Sequence, residues 1–361
     1  MPDDADPPGL RLEAVRGWLD RAGVGLDCSA PLTATLFPGG RSNVTYLLMD
    51  SSGGCAVLRR PPLGNVLPTA HDMAREYRVL SGLARTGFPA PAPLALCEDA
   101  DVTGAPFLVM GYVPGRIIAT ADDAVALSPQ ERTDISASLI ATLAALHAVD
   151  LDSAGLADLG RPQGFLPRQL SRWATQWELT RTRDLASMDR LRQRLELSIA
   201  ALPDDLPSSL VHGDYRLDNV ILGPDGAEIR AVLDWEMSTL GDPLADLGLM
   251  LVYWSRPDDR MRRVIPVAQG VTGAPGFADR GQLVDLYAAA TGHSLHHLDA
   301  CTALACYKLA VITESIHARA LSGKQLGAGA DDMHAMGEAT VALATLGEQV
   351  MEHGAVAGLA S

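Results

Sequence analysis

Leu210-Val-His-Gly-Asp-Tyr-Arg-Leu-Asp-Asn-Val-Ile-Leu222 is the most informative segment of the chain, and Ala231-Val-Leu-Asp-Trp-Glu236 continues it. An apolar run leads into a polar loop, and a second apolar run with β-branched residues follows. A Gly-Pro-Asp-Gly turn separates this run from a third one. Apolar runs joined by turn residues predict a β-hairpin. We expect the hairpin to present Asp214, Asn219 and Asp234 at one edge.

These three side chains suit the transfer of a phosphoryl group to a hydroxyl. A carboxylate orients the acceptor hydroxyl and takes its proton, while Mg²⁺ beside the nucleotide phosphates prefers oxygen ligands. Asp214 would be the catalytic base, and Asn219 and Asp234 would hold Mg²⁺, because Asp-x4-Asn is the spacing of kinase catalytic loops. Glu236 is close enough to Asp234 in the chain for a water-mediated role at the metal. A surface hairpin with scattered carboxylates is the alternative, but it has no reason to repeat this spacing.

Three motifs in order carry a resemblance to a known family. They are His212-Gly-Asp-Tyr-Arg-Leu-Asp-Asn219, Leu233-Asp-Trp-Glu236 and Gly241-Asp-Pro-Leu-Ala-Asp-Leu247. In them the chain resembles the aminoglycoside phosphotransferase and choline kinase-like family, and within it the kinase-like domain of certain acyl-CoA dehydrogenases. The resemblance implies an α+β, protein-kinase-like fold of two lobes. Residues 1–113 would form a small antiparallel sheet lobe that binds the nucleotide, and residues 114–361 a larger, mostly helical lobe with the catalytic hairpin.

Composition limits the partners and the location. The 361 residues are 47% hydrophobic and 20% charged, which suits a sizeable core. The net charge is −15, from 29 basic and 44 acidic residues, and it argues against a nucleic-acid partner, which needs clustered basic side chains. Five cysteines without framework spacing, an acidic N-terminus and no long apolar run predict a cytoplasmic protein with reduced thiols and no membrane partner. The oligomeric state is not indicated.

A glycine-containing segment lies between two predicted strands, Thr33–Phe37 and Val44–Met49, and therefore forms a hairpin tip. A P-loop or Rossmann glycine motif would lie between a strand and a helix, so both are excluded. In a kinase such a tip covers the nucleotide phosphates with backbone N–H groups, although an ordinary turn is the alternative. The candidate phosphate-binding residues are Gly39, Gly40, Arg41, Ser42 and Asn43.

The next predicted strand, Cys55–Arg59, departs from the kinase pattern. That pattern ends the strand on a lysine that binds the nucleotide phosphates, but the only lysines of the chain are Lys308 and Lys324. Arg59 takes the position, and a guanidinium can hold phosphate oxygens in a different geometry. We expect Glu76, on the following predicted helix, to pair with Arg59. The missing lysine leaves a non-catalytic nucleotide-binding module open.

The segment Phe107–Met110 is predicted to be an edge strand. By the resemblance, the residues after it form the hinge between two kinase lobes. The backbone of Gly111, Tyr112 and Val113 would then hydrogen-bond adenine, and Met110 would line the nucleotide pocket. A plain core position is an equal alternative for Met110.

Two aspartates after the catalytic hairpin are predicted to be supports and not metal ligands. Asp242 is placed to cap the helix that begins near Pro243, and Asp246 to brace the catalytic loop. Residues 293–299 are rich in histidine and resemble a metal site by composition. The adjacent histidines diverge on a helix, and no cysteine has zinc-site spacing, so a solvated helix start is predicted.

The rest of the second half is predicted to be helical, beginning with a capping box at Ser128-Pro-Gln-Glu131. By the resemblance, two helices within residues 165–202 build the acceptor pocket. Trp173 and Trp177 are predicted to be a packing pair there, and Arg168 or Arg172 would matter only for an anionic substrate. Three further helices are predicted over 280–291, 296–321 and 328–353.

These features predict a phosphotransferase that uses ATP and Mg²⁺ and acts on the hydroxyl of a small molecule. The similarity to the dehydrogenase-linked domain implies a hydroxylated acyl compound, free or as its CoA thioester, with the dehydrogenase itself not part of this sequence. An aminoglycoside kinase is the first alternative, since polycationic substrates call for acidic residues in the acceptor lobe, which the sequence does not place. A nucleotide-binding regulatory module and an enzyme that transfers AMP are the others.

Overall fold

The computed structural model describes residues 6–37, 43–62, 72–224, 226–259, 265, 270–322 and 330–360. Within them the strands are β1 Thr33–Leu36, β2 Val44–Met49, β3 Cys55–Arg60, β4 Pro93–Cys97, β5 Phe107–Gly111, β6 Ser209–Val211, β7 Val220–Leu222, β8 Ile229–Val232 and β9 Thr239–Gly241. The helices are α1 Leu12–Ala22, α2 Met73–Leu83, α3 Ala100–Thr103, α4 Ala121–Val125, α5 Pro129–His147, α6 Leu151–Ala154, α7 Phe165–Thr180, α8 Ala186–Ala200, α9 Leu244–Tyr253, α10 Arg280–Thr291, α11 Leu298–Leu321 and α12 Ala330–His353.

The chain divides into two compact units. The first comprises Met1–Gly115, Asp152–Leu156 and Arg230–Ser238. The second comprises Arg116–Leu151, Ala157–Ile229 and Thr239–Ser361. The domain boundary between residues 113 and 114 stays a prediction.

The first unit contains an antiparallel sheet in the order β1-β2-β3-β5-β4. Tyr46 and Leu58 lie opposite each other on β2 and β3, and both are fully buried against α1, where Val15 and Leu19 complete the core. The alternation of buried and less buried positions along β2 follows from the two-residue period of a strand. The predicted strands and the small antiparallel sheet are confirmed.

The prediction that Phe107–Met110 forms an edge strand is wrong. β5 pairs with β3 on one side and with β4 on the other, so it is an inner strand and β4 lies at the edge. Phe107, Leu108, Val109 and Met110 are all buried. At an inner position the backbone groups of β5 are paired on both sides, whereas an edge strand leaves one row of them unpaired.

Helix α2 begins at Met73 because the side chain of Asp72 accepts a hydrogen bond of 2.9 Å from the amide of Arg75. Its inward face buries Val79 and Leu80 together with one charged residue, Glu76. Arg75 extends from the same helix and donates to the carbonyl of Ser238 at 3.0 Å. The helix therefore holds Glu76 inside the first unit and fixes the segment after Asp234.

The second unit is mostly helical, as predicted. Helix α5 begins with the predicted capping box, in which the amide of Glu131 donates to Ser128 at 3.2 Å and the Glu131 carboxylate accepts from the Ser128 amide at 2.8 Å. Helix α11 packs against α7, α8, α9 and α12. Gly248 allows α9 to approach closely, since a Cβ atom there would lie 2.8 Å from the backbone nitrogen of Thr302. Trp173 and Trp177 are buried, which confirms their packing role.

Two short two-stranded sheets flank the loop that contains Asp214 and the segment that contains Asp234. β6 pairs with β9, and β7 pairs with β8, with the turn closed by a hydrogen bond of 2.8 Å from the Gly223 amide to the Glu228 carbonyl. The predicted hairpin is confirmed. Among the described residues, no helix is long and apolar enough to cross a membrane.

Candidate active site

Arg59 is the centre of a buried charge cluster in the first unit. Its Nη1 lies 3.2 Å from Oε1 of Glu76, which confirms the predicted ion pair. Its Nη2 contacts Oδ1 of Asp234 and lies 3.5 Å from Oε2 of Glu236. Strand β3 and helix α2 supply the ion pair, and the segment after β8 supplies the other two carboxylates. One guanidinium therefore contacts three carboxylates.

The charges in this cluster shift the pKa values of both partners of the ion pair. Burial raises the pKa of Glu76 to about 7, with Asp234 and Glu236 adding to the rise and Arg59 opposing it. Burial opposes the charged form of Arg59, but the carboxylates of Glu76, Asp234 and Glu236 outweigh it and raise the pKa of Arg59. Arg59 therefore stays a cation although it is almost completely enclosed.

The backbone at Asp234 is strained. Its φ of 67° makes it the one residue other than glycine with positive φ in the described part of the chain. Such a conformation costs of order 1–3 kcal/mol and is typical of functional sites. This backbone conformation turns the chain after β8, and the Asp234 carboxylate contacts Arg59.

Several polar atoms of the cluster are buried without a partner in the described residues. These atoms are Nε of Arg59, Oε2 of Glu76 and Oδ1 of Asn43. Asn43 also donates from Nδ2 to Oε2 of Glu236 at 2.7 Å. A buried polar atom without a partner is costly, so open donors and acceptors at one place indicate a ligand that completes them.

Of the other residues predicted for the phosphate-binding tip, Gly39, Gly40, Arg41 and Ser42 lie outside the described residues. Asn43 is described and is buried beside Glu236. Its predicted role toward the nucleotide stays a prediction.

The predicted hinge has one backbone amide already in use. The Gly111 amide donates to the Ala92 carbonyl at 2.8 Å, so it is not available to an adenine ring. The amides of Tyr112 and Val113 have no such partner within the described ranges. Met110 is buried in the sheet.

Asp214 lies in a polar loop of the second unit and is held by its neighbours. Asn219 donates from Nδ2 to the Asp214 carbonyl at 2.8 Å and to Oδ2 of its carboxylate at 3.2 Å. Arg216 donates from Nε to the same Oδ2 at 3.2 Å, and its Nη1 lies 2.8 Å from Oδ2 of Asp218. Burial, together with the charge of Asp214, raises the pKa of the Tyr253 hydroxyl well above its ordinary value, so Tyr253 remains a protonated donor beside Asp214.

Asp246 braces this loop, as predicted. Its carboxylate accepts hydrogen bonds from the amides of His212 at 2.6 Å and Gly213 at 2.8 Å, and His147 lies 3.3 Å away. Burial acts to raise the pKa of Asp246, but the hydrogen bond and charge of His147 and the amide of Gly213 lower it on balance. Because the Asp246 carboxylate fixes the amides of His212 and Gly213, it also fixes the backbone that leads into Asp214.

Asp242 caps helix α9 by accepting a hydrogen bond of 2.9 Å from the Leu244 amide. The prediction of a solvated histidine helix start is wrong for His297, which is 4% exposed and has Nε2 2.6 Å from Oδ2 of Asp242. Cys301 is buried beside this pair. The sequence did not indicate the contact, because its partners lie 55 positions apart and only the packing of α11 on α9 joins them.

Lys308 was also not predicted. Its Nζ donates to the carbonyl of Gly213, next to Asp214, at 2.7 Å and lies 5.8 Å from the centre of the Trp173 ring. The rarity of lysine in the chain was the available signal, since Lys308 is one of only two. Periodicity assigned it to a helix but could not show which loop that helix contacts.

The donor atoms fit Mg²⁺ within each unit. Asp234 and Glu236 offer carboxylate oxygens, and Asn219, whose Nδ2 is engaged with Asp214, offers Oδ1. Magnesium takes such hard oxygen ligands together with phosphate oxygens and water. Asn219 and Asp234 stay the predicted metal ligands, and Glu236 lies near Asp234 within the first unit.

Comparison with known proteins agrees with this chemistry. A model of the family described as "Phosphotransferase enzyme family" matches residues 33–283. The chain is 38% identical over 307 residues to acyl-CoA dehydrogenase family member 11 of Rattus norvegicus, and the match covers 83% of this chain but 38% of that protein. It thus spans well under half the length of the curated relatives that it matches.

Solved structures show the same fold. A crystal structure from Ralstonia eutropha, provisionally named an aminoglycoside phosphotransferase, has a TM-score of 0.76 and 31% identity, covering 94% of this chain and 98% of that one. A thermostable mutant of an aminoglycoside phosphotransferase, in a ternary complex with AMP-PNP and hygromycin B, has a TM-score of 0.59 and 17% identity, covering 91% and 97%. The predicted α+β, protein-kinase-like fold is confirmed.

Proposed function

The chain belongs to the phosphotransferase enzyme family, and on that premise we propose that it transfers the γ-phosphoryl group of ATP, with Mg²⁺, to the hydroxyl of a small molecule. The observation that carries the proposal is the buried ion pair of Arg59 and Glu76, which shares its guanidinium with Asp234. Kinases use a strand cation paired to a helix glutamate to hold the nucleotide phosphates. Here arginine performs that role.

Arg59 binds the phosphates through its guanidinium, and Glu76 orients it. An arginine side chain has several rotatable bonds, so a buried carboxylate that fixes one end reduces the entropy lost when phosphate binds. The unpartnered Nε of Arg59 and Oδ1 of Asn43 are the polar atoms that a nucleotide and its metal would complete. The amides of Tyr112 and Val113 are the donors for adenine.

Asp214 orients the acceptor hydroxyl and takes its proton. Asn219 and Arg216 donate to its Oδ2 atom, and these contacts orient the carboxylate toward the acceptor hydroxyl. Asp246 fixes the backbone on the N-terminal side of Asp214 through the amides of His212 and Gly213. The base is thus held at both ends of a short loop, which favours a reactive alignment.

Asn219 and Asp234 would hold Mg²⁺ through oxygen atoms. The ion would supply positive charge that offsets the negative charge developing during transfer. Glu236 supports Asp234, because both carboxylates contact the same Arg59 guanidinium.

The acceptor that we propose is a hydroxyacyl compound, free or as its CoA thioester. The support is the similarity to proteins named acyl-CoA dehydrogenase family members 10 and 11, with which a kinase acting on a related acyl compound would share a substrate pool. An aminoglycoside kinase is the competing function, since the Ralstonia eutropha structure carries that name.

The test is release of ADP from ATP in the presence of Mg²⁺, with hydroxyacyl-CoA esters, free hydroxy acids, aminoglycosides, choline and sugars as acceptors. We expect turnover with the hydroxyacyl group, and Asp214→Asn should reduce kcat by roughly 10²–10⁴-fold without weakening ATP binding. Asp205→Asn, an exposed aspartate outside the loop, is the matched control. Turnover with aminoglycosides alone would show that the acceptor is an aminoglycoside and not a hydroxyacyl compound. Tight ATP binding without turnover would indicate a regulatory module. AMP attached to protein would indicate AMP transfer.

A further inference from the structure

Trp173 carries two cations next to the proposed catalytic base. The guanidinium of Arg172 lies 5.6 Å from the centre of its ring, and Nζ of Lys308 lies 5.8 Å from it. The indole is buried, so it is a fixed platform, while Arg172 is exposed and Lys308 is partly buried. Cations over a tryptophan face are held by the negative face of the ring.

Neither cation forms an ion pair with a carboxylate in the described part of the chain. Arg216, the third cation of this region, differs because it is paired with Asp214 and Asp218. Burial lowers the pKa of Lys308, with Arg172 and Arg216 contributing, while Asp214 and Asp246 oppose the change. Lys308 and Arg172 are thus two cations at one indole ring that no carboxylate joins in the described residues, in a chain whose net charge is −15.

The location of Lys308 ties this pair of cations to the reaction site. Its Nζ donates one hydrogen bond, 2.7 Å long, to the carbonyl of Gly213, and the next residue is Asp214. An ammonium group has three donors, so two remain for a ligand. A group bound by Lys308 would lie within a few bonds of a hydroxyl held by Asp214.

We propose that Lys308 and Arg172 bind an anionic group of the acceptor, so that the substrate is a hydroxy compound with a carboxylate or phosphate close to its reactive hydroxyl. This inference rests on the proposed function and deepens it, because it names the charge of the acceptor. An anion would accept from the remaining donors of Lys308 and pair with the guanidinium of Arg172. A polycationic aminoglycoside carries no anionic group for these two cations.

The test measures binding by calorimetry and needs no turnover. The probes are hydroxyhexanoate, its methyl ester, glycerol phosphate, coenzyme A and kanamycin, each titrated into the full chain. We expect Lys308→Gln and Arg172→Gln each to weaken binding of an anionic probe by about tenfold or more, with little change for the ester. Lys308→Arg should restore most of the affinity. Arg190→Gln, which removes an exposed cation paired with Glu348 on α12, is the charge-matched control.

The probes distinguish the source of the anion. Loss of affinity for hydroxyhexanoate assigns the pair to a carboxylate, and loss for glycerol phosphate or coenzyme A assigns it to a phosphate; either supports the inference. The inference is overturned if no anionic probe binds the wild type, or if both glutamine variants bind the anions as the wild type does. A purely structural role of Lys308 would weaken binding of hydroxyhexanoate and of its methyl ester alike and leave the affinities of Arg172→Gln unchanged, which also overturns the inference. Anion binding that depends on both cations, without ADP release on any acceptor, would keep this site and reject the proposed function alone.

Discussion

Arg59 on β3 and Glu76 on α2 form a buried ion pair with 3.2 Å between Nη1 and Oε1. The two residues are brought together by the packing of a helix on a sheet, and both are withdrawn from water, with Glu76 only 1% exposed. Removal of one partner of a buried pair leaves an uncompensated charge and is strongly destabilising. The pair is therefore both a support of the first unit and the proposed holder of the nucleotide.

Replacement of Arg59 by lysine tests the guanidinium. An ammonium can pair with Glu76 but cannot present a fork to Asp234 at the same time. We expect Arg59→Lys to bind ATP roughly three- to tenfold more weakly than the wild type. Arg59→Met should bind ATP more weakly still, because no cation remains at this position. The measurement is the Kd for ATP with Mg²⁺, together with the melting temperature of each variant. ATP binding by folded Arg59→Met at wild-type affinity would remove Arg59 from the nucleotide site.

The pKa of Glu76 predicts how stability depends on pH. It is raised from 4.5 to about 7 in the native protein, so between these values native Glu76 holds a proton that the unfolded chain has released. This contribution is fully present below pH 4.5 and is lost as pH rises through about 7. From pH 5 to pH 8 we expect the free energy of unfolding of the wild type to fall relative to Glu76→Gln by roughly 1–3 kcal/mol. Urea unfolding at both pH values measures this.

Glu98→Gln is the matched control for that series, because Glu98 is an exposed glutamate of the same unit. Its difference from the wild type should stay constant between the two pH values. A constant difference for Glu76→Gln as well would mean that Glu76 is ionised throughout.

Asp246 predicts the opposite pH dependence. Its pKa lies below the ordinary value of 3.8, so its stabilising effect is present above that value and is lost as pH falls through the native pKa. At pH 7 we expect Asp246→Asn to reduce the free energy of unfolding by roughly 2–4 kcal/mol, since two backbone amides and His147 lose a charged partner. Unfolding with guanidinium chloride at pH 7 and pH 3 should show that the difference in unfolding free energy between the wild type and Asp246→Asn is smaller at pH 3. A larger difference at pH 3 would contradict the lowered pKa of Asp246.

Gly248 tests the close contact of α9 and α11. A Cβ atom at this position would lie 2.8 Å from the backbone nitrogen of Thr302, and backbone cannot yield cheaply. We expect Gly248→Ala to destabilise the protein by about 1–3 kcal/mol, measured by thermal and urea unfolding. Gly17→Ala, in α1, is the control, because its nearest atom is the flexible Arg21 Nη1 at 3.8 Å and alanine favours a helix. Equal effects of the two substitutions would argue against the close approach.

Local patterns in the sequence predicted most elements, because strand alternation, helix caps and apolar spacing depend on neighbouring residues. The capping box at Ser128 was predicted in this way and is confirmed. The bracing role of Asp246 was predicted from its place in the third motif and is confirmed as well. The inner position of β5 could not be read locally, since an apolar run of a few residues is compatible with any place in a sheet. No pattern in the sequence shows that β5 pairs with β3 on one side and with β4 on the other.

The candidate site divides in the same way. Motif spacing in the sequence by itself identified Asp214, Asn219 and Asp234 as candidate site residues and predicted that Arg59 takes the position of the kinase lysine. Only the tertiary structure decided that Arg59 also contacts Glu236, that His297 is buried on Asp242, and that Lys308 reaches the loop of Asp214 from a helix 95 positions along the chain. Motif spacing reports on residues that lie close together in the chain. The contacts made by Arg59, His297 and Lys308 arise when distant helices and strands pack to bury their apolar faces. No local signal specifies which charged residues that packing brings together.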